Sequence, residues 1–241
     1  MIVAFIILGF VLIVIFVLYE KYLAPETFFP WTLLKDRTVV FTNIMAAALY
    51  TSEFVCSQNI YSMLIISFDQ SVTNATYIKN IYMVGASIWN LILGVAFRWN
   101  SHIKCYAFCL GIPFFILGQG LMISFETTPP SIALMAVCQI LISFGGGTMY
   151  PIEHMTLMAV SSTHFPALIA VESVVVDIGK GAGAAISTAM WTGMFRTKLT
   201  ENLPDAQLPA LDDIYGSLDS QSSYPTGTPV RDGINRAYGE T

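Results

Sequence analysis

Long apolar runs separated by short polar connections dominate this chain. Six runs stand out, at positions 2–19, 39–68, 77–97, 105–125, 132–152 and 166–194. About 20 consecutive apolar residues suffice for a helix to cross the hydrocarbon core of a bilayer. Each run therefore predicts a transmembrane helix, and the second is long enough to tilt or to break near Gln58. The connections fall at 20–38, 69–76, 98–104, 126–131 and 153–165. After Phe195 the pattern changes to a polar tail, interrupted by Pro204, Pro209, Pro225 and Pro229. Turns are predicted there at Tyr215-Gly216-Ser217 and at Tyr224-Pro225-Thr226-Gly227. The fold class read from this pattern is all-α: a polytopic membrane helical bundle with about six transmembrane helices.

The polar positions inside the runs carry the functional signal. The last run holds Glu172, Asp177 and Lys180. An ionisable side chain at bilayer depth costs roughly 2.5–3.5 kcal/mol even on the lenient insertion scale, so such groups face other helices or a watery cavity. Asp177 and Lys180 stand three apart and can pair across one helical turn. That pair is either a neutralised structural contact or a substrate or proton contact in the cavity. Glu172 has no basic residue one turn away and needs either a partner from elsewhere or a raised pKa, the latter pointing to a proton-linked role. Glu53, flanked by Ser52, Gln58 and Asn59, gives the second run a polar stripe suited to a cavity wall. Asn90, Gln119 and Gln139 add milder polarity, which interhelical hydrogen bonds explain equally well. Glu153-His154, just after Pro151, reads as a solvated loop end or as a gate contact.

Small residues mark expected close approaches between helices. Gly179 and Gly183 form a GxxxG pair, Gly145-Gly146-Gly147 predicts a flexible or closely packed point, and Gly111, Gly118 and Gly120 serve the fourth run.

Composition narrows the class further. Hydrophobic residues make up 55% of the chain and charged residues 11%, against about 25% charged in an ordinary soluble domain. The net charge of −5 comes with no basic stripe, which argues against a nucleic-acid partner. Cys56, Cys105, Cys109 and Cys138 all fall in apolar runs, so a disulfide framework is not expected. Cys105 and Cys109, one turn apart, have no third ligand in suitable spacing and read as buried free thiols; no metal or cofactor is expected. His102, His154 and His164 form no zinc spacing, and no nucleophile elbow or phosphate loop occurs, so no catalytic residues and no enzyme are expected. The first run lacks the basic flank and cleavage site of a signal peptide and is read as a true span. Short-loop basic residues (Lys21, Lys35, Arg37, Arg98, Lys104) assign the first, third and fifth connections to the cytoplasm. The N-terminus and the tail are then extracytoplasmic, and the sequon at Asn74 lies outside as a glycosylation candidate.

Several segments resemble the fungal siderophore–iron transporter family of the major facilitator superfamily. They are Tyr19-Glu20-Lys21-Tyr22-Leu23-Ala24-Pro25 with Leu34-Lys35-Asp36-Arg37-Thr38-Val39, Ser71-Val72-Thr73-Asn74-Ala75, and Ile78-Lys79-Asn80-Ile81-Tyr82 with Gly85. Gly146-Gly147-Thr148 with Glu153, and Ile178-Gly179, Gly181, Gly183 and Trp191-Thr192, continue the likeness. The tail carries the most specific part: Ile214-Tyr215-Gly216-Ser217-Leu218, Ser223-Tyr224-Pro225, Gly227, Pro229, Arg231-Asp232 and Ala237-Tyr238-Gly239. The resemblance implies ferric siderophores as substrate and proton-coupled entry by a fourteen-helix protein with both termini in the cytoplasm. This chain would correspond to the eighth through thirteenth helices and the large outer loop, a partial C-terminal half expected to be inactive alone. It departs from the family pattern at Ser57-Gln58, at Asp177 and at Lys180.

The domain reading is a linker-type helix at 1–19, a cytoplasmic loop at 20–38, five helices of the C-terminal bundle at 39–195 and an extracytoplasmic loop at 196–241. Glu53, Asn90, Glu172, Asp177 and Lys180 are the expected cavity groups, and Tyr215, Tyr224 and Tyr238 the expected gating or ligand contacts. The expected partners are ferric siderophore, protons and the lipid bilayer, in the plasma membrane or an endosomal vesicle membrane. A drug:proton antiporter of the same superfamily, and a non-transporting remnant or regulatory membrane protein, are the alternatives.

Overall fold

The structure is a computed structural model that describes residues 2–23, 31–100, 102–122 and 131–241. The 24–30 part of the first loop, the end of the fourth run from 123 and the 126–130 part of the fourth connection lie outside the described residues. Helix occupies 87% of the structure, and no strand occurs among the described residues, as the all-α reading requires. In chain order the elements are α1 (Ile2–Tyr22), α2 (Trp31–Leu34), α3 (Arg37–Ser57), α4 (Ile60–Ile66), α5 (Val72–Trp99), α6 (Ile103–Tyr106), α7 (Ile112–Met122), α8 (Ile132–Val160) and α9 (Phe165–Asn202). The tail follows as a 3₁₀ turn (Asp205–Ala210), α10 (Leu211–Gly216), α11 (Leu218–Ser222) and α12 (Pro229–Gly239).

Among the described residues, four stretches are long and apolar enough to cross a membrane: Arg37–Ile66, Val72–Trp99, Ile103–Met122 and Ile132–Val160. α9 is long enough but carries Glu172, Asp177 and Lys180. α1 stands apart from the others, with its described apolar side chains exposed and only Glu20 buried. The second run does break, at Gln58 and Asn59, between α3 and α4. A π-helical turn, Ala107–Gly111, joins α6 to α7. The fifth helix outlasts its predicted end: Pro151 sits inside α8, which continues to Val160 and brings Glu153 and His154 into the helix.

α8 is the central helix because its glycines admit neighbours on two sides. A Cβ on Gly145 would collide with the Phe115 backbone of α7, and one on Gly147 would fall 3.1 Å from the Ala86 Cα of α5. The triplet is thus a close-packing surface. Gly111 and Gly118 are likewise pressed against α8, whereas Gly120 faces open space. α3 and α9 run in the same direction and pack through the GxxxG pair. A Cβ on Gly179 would lie 2.8 Å from the Ala47 carbonyl oxygen, and one on Gly183 would lie 2.5 Å from that of Thr51. The Thr51 hydroxyl donates to the Gly179 carbonyl at 3.0 Å, tying the two helices at their nearest approach. Gly183→Leu is therefore expected to force the helices apart and cost about 1–3 kcal/mol, the range for overpacking. Gly181, one turn position away with nothing within 4 Å, is the control. Gly181→Ala should leave the unfolding midpoint in mild detergent unchanged or raised, since alanine is favoured over glycine in a helix by up to about 1 kcal/mol.

The polar tail is helical and folded, which the sequence pattern left as a loop with turns. Ile214, Ile234, Ala237 and Tyr238 form one buried cluster with Ile66, Phe195, Leu199 and Leu203. The tail thereby seals the end of the bundle where α4 and α9 finish. Arg231 fastens it there and is only 1% exposed. Its guanidinium donates to the Ile66 carbonyl at 3.0 Å and the Gln221 carbonyl at 2.7 Å, and pairs with Asp69 at 3.6 Å. The last carbonyls of a helix have no partner within it; for α4, a side chain from the tail supplies one. Asp69 itself takes a left-handed backbone conformation, φ 51°, where the chain turns from α4 towards α5.

Candidate functional site: a polar cavity between α3, α8 and α9

A cavity of about 250 Å³ opens between these helices, lined by Tyr50, Tyr150, Glu153, His154, Glu172, Asp177 and Lys180, among others. Glu172 is seven positions from the start of α9, which at 1.5 Å per residue is about 10 Å into the helix. Its carboxylate is buried, and neither oxygen has a hydrogen-bond partner among the described residues. The partner that the sequence required for Glu172 comes from α8. His154 Nε2 stands 3.8 Å from Glu172 Oε2, within ion-pair reach but beyond hydrogen-bond length.

The imidazole is oriented by its own helix. His154 Nδ1 lies 2.9 Å from the Tyr150 carbonyl oxygen, one turn earlier. A carbonyl can only accept, so Nδ1 carries a proton, and the neutral ring presents a bare Nε2 to Glu172. One proton then serves both groups. On Glu172 it leaves two neutral side chains; on His154 it makes an imidazolium–carboxylate pair. Glu153 adds a second buried carboxyl, 1% exposed, with Oε1 unpartnered among the described residues. Sequence reading left Glu153 and His154 at a loop end because Pro151 reads as a terminator.

Asp177 and Lys180 do pair, with Nζ 3.1 Å from Oδ1. Lys180 also lies 5.3 Å from the centroid of the Tyr50 ring, near enough for a cation–π contact. Asp177 is 74% exposed, and exposed pairs contribute about 0.2–1 kcal/mol. A double-mutant cycle on Asp177→Asn and Lys180→Gln should accordingly give a stability coupling below about 1 kcal/mol. A coupling several times larger would mean the pair is shielded from water.

The remaining sequence candidates are dispersed. Glu53 is half-buried in a separate crevice with Tyr82, Gln119 and Gln139. Asn90 lies on α5, half-buried, with Oδ1 unpartnered among the described residues, beside Trp89, whose indole donates to Thr148 at 2.8 Å. Tyr215 and Tyr224 are half-buried against the tail cluster. Tyr238 is in that cluster, and its hydroxyl donates to Gln221 Oε1 at 2.7 Å. Burial raises the Tyr238 phenol well above its ordinary range, keeping it a donor. Asn74 is exposed in the first turn of α5. Near the tail, the hydrogen bonds that the half-buried Lys198 ammonium donates to Glu201 and then Glu240 raise it above the usual lysine range.

Comparison with known proteins meets this geometry with a consistent set of relatives. The chain is 43% identical over its whole length to MFS siderochrome iron transporter 1 of Ajellomyces capsulatus, covering 41% of that protein. It is 34% identical to Siderochrome iron transporter 2 of Aspergillus fumigatus, over 99% of this chain and 40% of the relative. This sequence is similar over its whole length to part of the fungal siderophore–iron transporters of the major facilitator superfamily. Siderophore iron transporter mirB of Emericella nidulans is a further member, 34% identical over 99% of this chain and 39% of its own length. The chain thus spans about 40% of the length of the curated relatives it matches, consistent with the C-terminal part of such a transporter. No protein-family profile and no solved structure matches it. The family and the apolar helices together make it a membrane protein.

Proposed function

We propose that this chain forms one wall of a transporter that carries ferric siderophore across a membrane together with entering protons. The single observation that carries the reading is the buried Glu172 carboxylate facing the half-buried His154 in a polar cavity, in a chain similar to siderophore transporters. An isolated buried carboxylate is costly enough that it takes up a proton or finds a cation. Glu172 has both routes through His154, at a separation where a small side-chain movement or an entering water completes the transfer. Substrate arriving in the cavity changes the solvation of the pair and so its preference for the proton. That is the coupling.

In this reading α1 and α9 also span the bilayer, the 20–38 segment is cytoplasmic, and the tail caps the extracytoplasmic end. Asp177 and Lys180 face the translocation path beside the pair, and Glu53 and Asn90 face it from elsewhere in the bundle. Tyr215 and Tyr224 on the tail meet ligand first, with Tyr238 holding their platform, and Asn74 is open to glycosylation. Major facilitator transporters typically rock two bundles about a central site, so transport belongs to the whole protein that carries this chain.

The test is radioiron accumulation by iron-starved cells that express that whole protein. Label supplied as ferric siderophore should enter, and collapsing the proton gradient should reduce entry to the level of cells lacking the gene. Equal uptake with and without the gene would refute siderophore transport. Gene-dependent uptake that is indifferent to the gradient would refute the proton coupling alone.

A further inference from the structure

The clearest chemistry outside the cavity is a pair of thiols at the opposite end of the bundle from the tail. Cys105 and Cys109 lie where α6 passes into its π-helical turn, with their Sγ atoms 3.8 Å apart. Both are exposed, which corrects the expectation of buried thiols. Among the described residues no cluster of three or more ligating side chains exists.

We infer that Cys105 and Cys109 form a two-thiolate site for a soft, thiophilic divalent cation. A tetrahedral ion with metal–sulfur bonds of about 2.3 Å has its sulfur ligands about 3.8 Å from each other. That is the separation the two thiols already have. A disulfide would instead need the sulfurs at about 2.05 Å, a closure that the helical backbone opposes. Binding replaces two S–H bonds with two metal–sulfur bonds and releases two protons per cation. The remaining two coordination positions stay open to exchangeable ligands. Cys105 and Cys109 are two and six positions beyond Ile103, so at 1.5 Å per residue both lie within about 9 Å of the helix start. The exposed His102 and Lys104 mark that boundary. The other two cysteines cannot substitute: Cys138 is buried in the α8 core, and Cys56 lines the Glu53 crevice.

The experiment is titration of the purified full chain, in mild detergent under reducing conditions, with Cd²⁺ alone. One ion per chain should bind with an ultraviolet thiolate-to-cadmium band and release of two protons. Cys105→Ser and Cys109→Ser should each weaken binding at least tenfold, while Cys138→Ser and Cys56→Ser leave it unchanged. Helical circular dichroism recorded on every variant separates loss of the site from loss of the fold. An absent band in a wild-type chain whose two thiols still react with a thiol reagent would overturn the proposal. So would a band that survives in either Cys105→Ser or Cys109→Ser.

Discussion

Replacing Arg231 with alanine is expected to loosen the whole tail from the bundle and lower stability by about 3 kcal/mol. The guanidinium serves the Ile66 carbonyl at the end of α4 and the Gln221 carbonyl in α11 at once. A buried acceptor deprived of its donor costs about 1–3 kcal/mol, and hydrogen bonds from a charged donor are at the upper end. Asp69 adds little, since it is 68% exposed and regains water when the arginine goes. Arg231→Lys should fall between the two, because one ammonium cannot span acceptors that the planar fork reaches together. Tyr238→Phe removes one neutral hydrogen bond to Gln221 and should cost about 1 kcal/mol. Limited proteolysis between α10 and α12 reads the loosening directly, alongside the unfolding midpoint in detergent. Resistance unchanged from wild type in Arg231→Ala would mean that the apolar cluster alone seats the tail.

The second large effect is at Glu172. Glutamine keeps the size of the side chain but can neither give up nor accept the coupling proton. Glu172→Gln in the whole transporter should reduce concentrative uptake of ferric siderophore at least tenfold, a barrier increase of about 1.4 kcal/mol or more. Exchange of labelled for unlabelled siderophore across the membrane should persist, because it requires no net proton movement. Loss of both activities would place Glu172 in ligand binding or folding instead. His154→Gln is the companion variant. It removes the imidazole nitrogen that faces Glu172 and should give the same selective loss of concentrative uptake.

Much of this was legible in the sequence because membrane helices declare themselves by long apolar runs, which need no tertiary context. The break at Gln58–Asn59 and the Asp177–Lys180 pair were readable for the same reason, since both depend on residues near one another in the chain. What stayed hidden depends on contacts between distant segments. Glu153 and His154 were misplaced because a proline within a helix and a proline ending one look alike until packing decides; here α8 continues through Pro151 and is held between α5 and α7. The tail looked unstructured because its short helices are polar overall and bury only one face, on Phe195 and Leu199 of α9. Arg231 stood out in the sequence only as part of a family motif. Its physical role needs the carbonyls of Ile65 and Ile66, brought to it across 166 and 165 positions of the chain.

The most direct measurement of the central claim is proton flux rather than iron uptake. Proteoliposomes containing the whole transporter, wild type or Glu172→Gln, receive ferric siderophore while the external pH is followed without a pre-formed gradient. Wild-type vesicles are expected to alkalinise the medium as substrate enters, and Glu172→Gln vesicles to leave it unchanged. Equal alkalinisation by both would contradict the assignment of the proton to the Glu172–His154 pair.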